Sequence, residues 1–154
     1  MKYVSYLFIL GTILSARGEE VTDYEMCKNS KCTISNVNVD PCPQALKGEH
    51  CEFVRGTNVT FSANYITSFG TVKPITKVYI EVGGVEITDP SLPTDACLFT
   101  SCPIQNGKQN SYKRTILVSP KYPSGNHNFK IKIYDGTKKF KRDECCVQSN
   151  VKII

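Results

Sequence analysis

Eight cysteines in a chain of 154 residues restrict it to folds that disulfides or bound metal ions can hold. The cellular compartment decides between the two, because disulfides persist in oxidising surroundings. Zinc sites usually combine Cys-x-x-Cys pairs with further cysteines or a set of nearby histidines, and this sequence has no Cys-x-x-Cys pair and no such set of histidines. Disulfides are therefore favoured, provided that the chain is exported.

The first 18 residues have the layout of a secretory signal peptide, residues 1–18. Lys2 supplies a positive charge, residues 3–14 form an apolar run too short to span a bilayer, and Ala16 and Gly18 are small enough for a cleavage groove. We expect cleavage after Gly18. The alternatives are cleavage after Ala16 and a buried N-terminal strand or helix.

Removal of the signal peptide would leave one domain, residues 19–154, at a length that a single core can fill. Loss of Lys2 and Arg17 would lower the formal net charge from +5 to +3, which is too weak a bias to argue for nucleic acid binding. No second apolar run is long enough to cross a membrane. We therefore expect an exported protein that is secreted, or delivered to lysosomes through the same signal, and export favours disulfides.

A second mark of export is the triplet Asn58-Val59-Thr60, the only N-x-Ser/Thr sequon in the chain. Such triplets also arise by chance, and an ordinary exposed strand residue is the alternative. In an exported chain we expect Asn58 to carry a glycan.

Apolar and polar residues alternate with a period of two in four segments, which is typical of half-buried β-strands. The apolar members of these segments are Val59, Phe61, Ala63 and Tyr65; Val78, Ile80 and Val82; Phe129, Ile131 and Ile133; and Val147, Val151 and Ile153. Turn residues separate the segments, as at Gly83-Gly84, Asn106-Gly107 and Asp135-Gly136. No segment has a convincing helical period. The sequence predicts an all-β fold, either a sandwich or a barrel of antiparallel strands.

Cysteine spacing suggests local loops at two places. Cys97 and Cys102 enclose four residues, and Cys42 and Cys51 enclose eight. Each of these pairs could close a short loop, but eight cysteines allow 105 pairings and spacing alone does not choose among them.

Four further cysteines lie at the two ends of the expected domain, Cys27 and Cys32 near its start and Cys145 and Cys146 near its end. A bridge between the ends would close a loop of more than a hundred residues and stabilise the fold by roughly 4–5 kcal/mol in the chain-entropy treatment. Adjacent residues of a strand point to opposite faces, so Cys145 and Cys146 need different partners.

Catalytic motifs are missing from the sequence. His50 and His127 are its only histidines, and neither accompanies a nucleophile motif, a phosphate-binding loop or a zinc-protease motif. We expect no enzymatic activity, no cofactor and no metal site.

A basic run, Lys138, Lys139, Lys141 and Arg142, surrounds Phe140 at what we expect to be a hairpin tip. One interpretation is docking to anionic lipid headgroups, worth about 1 kcal/mol per charge near a membrane surface. The other, which we favour, is a solvated loop.

A set of short motifs in fixed order resembles the ML (lipid-recognition) domain family. The motifs are Cys27, VNVDPCP (37–43), Cys51, RGTNVTFSANY (55–65), DAC (95–97), CPIQ (102–105), LVSPKYPS (117–124) and a C-terminal cysteine before a last strand. Each is weak alone, but their order and spacing together cover almost all of the expected domain, from Cys27 to Ile153.

The resemblance implies an immunoglobulin-like β-sandwich of two antiparallel sheets with an apolar cavity between them that holds a lipid. It also implies three disulfides, namely Cys42–Cys51, Cys97–Cys102 and Cys27 with the C-terminal cysteine. The distance to Ile153 favours Cys146 for that last position. Cys32 and Cys145 are then additional, and we hypothesise a fourth bridge between them.

The resemblance also supplies candidate lipid-binding residues. Val118 and Tyr122 match lining positions of the family's cholesterol-binding member, and Leu117 and Ile131 occupy two further lining positions with changed side chains. The remaining candidates are apolar residues that we expect to point inward, namely Val78, Ile80, Val82, Leu92, Phe99, Tyr112 and Phe129. For each candidate the alternative is core packing without a ligand.

The function that the resemblance implies is binding of a lipid ligand, which could be a sterol, a fatty acid or a phospholipid, by a monomeric protein. Asp89 replaces an aromatic pocket residue of the cholesterol-binding member, and the chain has no tryptophan, so a generic lipid is favoured over cholesterol. Two roles stay open: a carrier that transports lipid or sterol between membranes, and an innate-immune or effector protein that presents a microbial lipid to a membrane receptor. A third possible role is adhesion, by a disulfide-rich sandwich with a closed core.

Overall fold

The computed structural model describes residues 18–139 and 143–154, which form two β-sheets packed face to face. The first sheet has four strands, and all neighbours in it are antiparallel. In spatial order they are β1 (Glu19–Glu20), β3 (Cys32–Asp40), β5 (Asn58–Thr67) and β8 (Gln109–Leu117).

The second sheet has six strands. Five of them, in spatial order, are β2 (Glu25–Met26), β10 (Glu144–Ile153), β9 (Gly125–Asp135), β6 (Pro74–Val82) and β7 (Val85–Ile87), all antiparallel. The sixth, β4 (Cys51–Phe53), lies parallel to the end of β10. Within the described residues the helical segments are two short 3-10 turns, Pro43–Lys47 and Ala96–Leu98. None of the described helices is long and apolar enough to cross a membrane.

The core lies between the sheets and is built from alternating residues of the long strands. In β5, for example, Val59, Phe61, Ala63 and Tyr65 are buried while the residues between them are half-buried or exposed. Burial of such rows stabilises the sandwich by about 25 cal/mol per Å² of apolar surface. The expected fold class, an all-β sandwich of two antiparallel sheets, is confirmed.

The hairpin between β6 and β7 turns at Gly83-Gly84, one of the turn signals in the sequence. Gly83 and Gly84 both have positive φ angles, 59° and 81°, between the paired residues Val82 and Val85. Two positive φ angles in a two-residue hairpin favour glycine, because a Cβ atom is unfavourable in that conformation.

All eight cysteines are paired. Cys32–Cys145 joins the two sheets through β3 and β10, and Cys27–Cys146 joins β10 to the chain that follows β2. Cys42–Cys51 connects the segment after β3 to β4, and Cys97–Cys102 closes a surface loop. The pairing of Cys32 with Cys145 is the one hypothesised for the two additional cysteines.

The basic run lies only partly within the described residues. Phe140, Lys141 and Arg142 fall outside them. Lys138 forms ion pairs with Asp135 and Asp143 in the connection between β9 and β10. Docking of this run to a membrane stays a hypothesis.

A buried carboxylate, Asp135, organises the start of that connection. Its Oδ1 accepts hydrogen bonds from the Thr137 amide at 3.1 Å and from the Thr137 hydroxyl at 2.6 Å. Burial alone would raise the pKa of Asp135, but hydrogen bonds from Thr137 and Thr71 outweigh burial and hold that pKa below its usual range. The charged form is therefore favoured by folding.

Substitution of Asp135 tests how its ionisation contributes to stability. Because the pKa of Asp135 is lower in the folded than in the unfolded chain, its stabilising contribution is complete above the ordinary aspartate pKa of about 4 and is lost as the pH falls below it. We expect Asp135→Asn to lower the free energy of unfolding at pH 7 and to flatten its decline between about pH 4 and pH 2. Urea titrations at several pH values measure both, with the exposed Glu49→Gln as the control. An unchanged acid slope in Asp135→Asn would remove Asp135 as its source.

Candidate functional site

An apolar cavity lies between the sheets, at the end formed by the C-terminal halves of β3, β6, β8 and β10. Among the described residues its lining is apolar apart from three tyrosines, one glutamine and one serine, and it includes no charged side chain. The lining residues are Val21, Tyr24, Val37, Val39, Cys51, Phe53, Val59, Phe61, Val78, Tyr79, Ile80, Ile116, Val118, Tyr122, Phe129, Ile131, Val147, Gln148, Ser149, Val151 and Ile153.

The cavity is a narrow slit. The unfilled space between its lining atoms is about 800 Å³ when the open mouths are included, but only about 40 Å³ of it is wide enough for the centre of a water molecule. Small-molecule pockets usually measure about 300–1,000 Å³, so a lipid enters only if the sheets separate or the lining side chains move. The volume of about 40 Å³ is the space that the slit offers in this conformation.

Partly exposed residues mark where the slit reaches the surface. One group, Tyr24, Gln148 and Ser149, lies beside β2 and β10. The other includes Tyr122 and Phe129, beside β6, β9 and the loop after β8. Burial raises the pKa of Tyr122, and the nearby Asp89 carboxylate raises it further, so this hydroxyl is neutral at physiological pH.

The covalent links leave one side of the sandwich less restrained than the other. Cys32–Cys145 and Cys42–Cys51 tie the sheets together along β3, β4 and β10. Between β6 and β8 the sheets are connected instead by residues 94–100, through hydrogen bonds such as Thr76 N to Thr94 O at 2.8 Å and Lys113 N to Phe99 O at 3.0 Å. The sheets are therefore joined by disulfides on the side of β3 and β10 and by hydrogen bonds on the side of β6 and β8.

His127 connects the loop carrying Tyr122 to the end of β6. Its Nε2 lies 3.0 Å from the Pro123 carbonyl oxygen, and its Nδ1 lies 3.2 Å from the Glu81 carbonyl oxygen. A neutral imidazole has one N–H, so it donates to one of these oxygens at a time.

Six of the eleven candidate lipid-binding residues line the slit. They come from two strands and the loop after β8, and they are Val78, Ile80, Val118, Tyr122, Phe129 and Ile131. The structure thus brings together three residues taken from alternation, Val78, Ile80 and Phe129, and three taken from the family's lining positions, Val118, Tyr122 and Ile131.

The structure differs from the expectation at Leu117, which is 53% exposed and points away from the slit. Ile116 and Val118 on either side of it are 6% and 4% exposed. Neighbouring residues of an extended chain point to opposite faces, so Leu117 and Val118 do not share one wall. Leu117 therefore lies on the outer face of the sandwich.

Four other candidates also lie outside the slit. Val82 packs half-buried against the core near the end of β6. Leu92 lines a separate cavity beneath residues 88–94. Tyr112 lines a small extension of the core, and its ring centre lies 6.0 Å from that of Phe99.

Several lining residues were not among the candidates. Val59, Phe61, Val147, Val151 and Ile153 had already been placed inward by alternation, so the same signal was available for them. Arg114 lies outside the slit lining and shares the inward row of β8 with Ile116, as a charged residue in an apolar row.

Comparisons with known proteins agree on one family. A family sequence model described as "ML domain" matches residues 21–153. The chain is 27% identical over 147 residues to the MD-2-related lipid-recognition protein of Manduca sexta, covering 94% of this chain and 91% of that protein. It is 30% identical over 129 residues to NPC intracellular cholesterol transporter 2 of Sus scrofa, with coverages of 80% and 81%. It is 31% identical over 124 residues to the mite group 2 allergen Lep d 2 of Lepidoglyphus destructor, with coverages of 79% and 81%.

A solved structure has the same fold. The crystal structure of a Niemann-Pick type C2 protein from Japanese carpenter ant matches with a TM-score of 0.70, covering 85% of this chain and 98% of that one. The two sequences are 18% identical, so this likeness bears on the fold alone.

Proposed function

This chain belongs to the ML domain family, and from that premise we propose that it binds one lipid between its two sheets and carries it between membranes. The observation that supports the proposal is the slit itself, an apolar space that reaches the surface and, within residues 18–139 and 143–154, has no charged side chain in its lining. Apolar rows that lie against each other in the empty protein offer the same burial to an acyl chain or a sterol ring when the sheets part.

The proposed lipid contacts are the six candidates that line the slit, together with Phe61, Val59 and Ile116 on the facing sheet. We propose a fatty acid, a phospholipid or a sterol as the ligand. The half-buried Tyr122 at the mouth is the polar group best placed to meet a hydroxyl or ester of such a ligand.

The proposed setting is extracellular or lysosomal. Four disulfides fit an oxidising compartment, and a signal peptide over residues 1–18, which lies almost wholly outside the described residues, would direct the chain there. Asn58 is exposed at the start of β5, where a glycan would not disturb the core. We propose a monomer that acts as a binding protein rather than as an enzyme.

A second candidate role is presentation of a bound lipid to a receptor. The name of the Manduca sexta relative, a lipid-recognition protein, supports recognition, whereas the name of the Sus scrofa relative supports transport. The two roles differ in whether the lipid leaves the protein at a membrane.

Transfer between vesicles separates the two roles. The purified protein would be mixed with donor vesicles carrying a fluorescent fatty acid, phospholipid or sterol and with unlabelled acceptor vesicles. A carrier raises the rate of transfer in proportion to its concentration, and a presenting protein takes up the label without releasing it to the acceptors. If the protein neither takes up nor transfers any of the three labels, the proposed function is wrong.

A further inference from the structure

A buried cation lies at the edge of the lipid slit. Arg114 is 2% exposed and sits in the inward row of β8, between Tyr112 and Ile116. Its partner in the neighbouring strand β5 is Phe61, a residue of the slit lining. Charged side chains are rarely buried to this extent unless they are paired, so the position of Arg114 is unusual for a structural residue.

The surroundings of Arg114 do not balance its charge. Nη2 donates to the Pro93 carbonyl oxygen at 2.9 Å, and the guanidinium carbon lies 4.4 Å from the centre of the Phe99 ring. Nη1 is buried and has no hydrogen-bond partner in the part of the chain that the structure describes. Among the described residues no carboxylate forms an ion pair with Arg114. A buried, unpaired guanidinium is costly unless something else supplies negative charge.

The hydroxyl of Tyr112 lies near Arg114 but carries no negative charge to balance the guanidinium. Burial raises the pKa of Tyr112, and the hydrogen bond with Thr76 and the interaction with the Arg114 guanidinium oppose that rise. The hydroxyl is 3.1 Å from the Thr76 hydroxyl, while no contact to Nη1 has the geometry of a hydrogen bond.

A second cavity opens beside Arg114, under residues 88–94. About 160 Å³ of it is wide enough for the centre of a water molecule, which is room for a carboxylate or a phosphate group. Its lining includes Arg114, Lys77 and three threonines, and Val78 lines both this cavity and the slit. The acid in the lining, Asp89, uses Oδ1 to accept from the amide and the hydroxyl of Ser91.

We propose that Arg114 binds the anionic head group, a carboxylate or a phosphate, of an amphiphilic lipid whose acyl chain lies in the slit. The proposal rests on the proposed function and names the class of lipid. A guanidinium binds either anion through two parallel hydrogen bonds, and its free Nη1 and the adjoining cavity are what such an anion needs. Arg114 also contacts Pro93 and Phe99, in the segment between β7 and β8, so a head group reaches it from the side of the sandwich away from the disulfides that join the sheets.

A purely structural role predicts different behaviour. Methionine has a similar reach, packs against Phe99 and carries no charge, so Arg114→Met should fold at least as stably as the native chain in the absence of lipid. The matched control is Lys113→Met, which removes one positive charge from the adjacent, exposed position of β8.

The test compares two ligands with the same hydrocarbon chain, oleate with an anionic head group and oleyl alcohol with a neutral one, by equilibrium dialysis against the native chain, Arg114→Met, Arg114→Lys and Lys113→Met. We expect Arg114→Met to bind oleate at least tenfold more weakly and oleyl alcohol with unchanged affinity. Arg114→Lys, which keeps the charge but loses the planar fork, should fall between, and Lys113→Met should match the native chain. Oleoyl lysophosphatidate and monoolein form a second pair that separates a phosphate from a carboxylate ligand.

The possible results separate failure of the Arg114 proposal from failure of the proposed function. If Arg114→Met weakens both ligands of a pair equally, or neither, Arg114 does not bind the head group and the proposal is overturned while lipid binding stands. If the native chain binds none of the four ligands, the proposed function itself fails. Should Arg114→Met not fold, the loss of oleate affinity in Arg114→Lys relative to oleyl alcohol decides in its place.

Discussion

Removal of both Cys27–Cys146 and Cys32–Cys145 will unfold this protein at 25 °C, whereas removal of either bridge alone will cost only about 2 kcal/mol. The two bridges join nearly the same points of the chain, with sequence separations of 119 and 113 residues. The first to form closes a loop of more than a hundred residues, worth about 5 kcal/mol in the chain-entropy treatment. The second then closes a path of only about six residues, worth about 2 kcal/mol.

The two contributions are therefore strongly non-additive. Loss of both bridges amounts to about 7 kcal/mol, which is within the whole stability of a typical domain. We expect Cys27→Ala/Cys146→Ala and Cys32→Ala/Cys145→Ala each to give a folded protein in urea titrations, and the quadruple variant to be unfolded without urea. The control is Cys97→Ala/Cys102→Ala, which removes an independent local loop and should add its own cost to either variant. A quadruple variant whose cost equals the sum of the two separate costs would contradict the loop argument.

Val118→Trp will abolish lipid binding, with a loss of affinity of at least a hundredfold, while Leu117→Trp will leave it unchanged. Val118 is 4% exposed and lines the slit, whereas Leu117 is 53% exposed on the opposite face of the same chain segment. An indole at position 118 fills space that a lipid needs, in a slit that admits little more than water. Overpacking of this kind typically costs about 1–3 kcal/mol, which an intact sandwich should withstand.

Fluorescence of the two variants shows whether each introduced indole is buried or exposed. The native chain has no tryptophan, so fluorescence of each variant comes from the introduced indole alone. The emission of Val118→Trp should be blue-shifted, and that of Leu117→Trp should resemble the emission of an indole in water. If both variants bind lipid as the native chain does, while their emission places the indoles as expected, the slit is not the lipid site.

Strands with unbroken alternation were predictable from the sequence, and a strand whose alternation is interrupted was not. In β5 and β6 buried residues alternate with less buried ones, and both strands lie where the pattern indicates. In β3 both Ile34 and Val37 pack against the core although they are three positions apart, because the register shifts between Ser35 and Asn38. Asn36 takes up the shift with a φ of 52°, a conformation that asparagine tolerates better than most residues.

The residues that the strands contribute to the candidate site were predictable from the sequence, and the positions of the loop residues were not. Inward rows follow from period two once the strand is known, so Val78, Ile80 and Ile131 were found. Leu92 and Phe99 come from the segment that connects β7 to β8, and the structure places them in the region around Arg114 rather than in the slit. Their place depends on how residues 88–100 cross from one sheet to the other, which no local pattern specifies.

Native mass spectrometry of the protein recovered from a secreting cell tests the central claim most directly. The claim is that the two sheets part to hold one lipid. We predict a folded species heavier than the disulfide-bonded chain by the mass of a single lipid, removable by organic extraction and restored by adding lipid to the extracted protein. Val118→Trp, folded but with its slit filled, should be found only at the mass of the chain. A native protein that carries no lipid when isolated and acquires none from a fatty acid, a phospholipid or a sterol would contradict the claim.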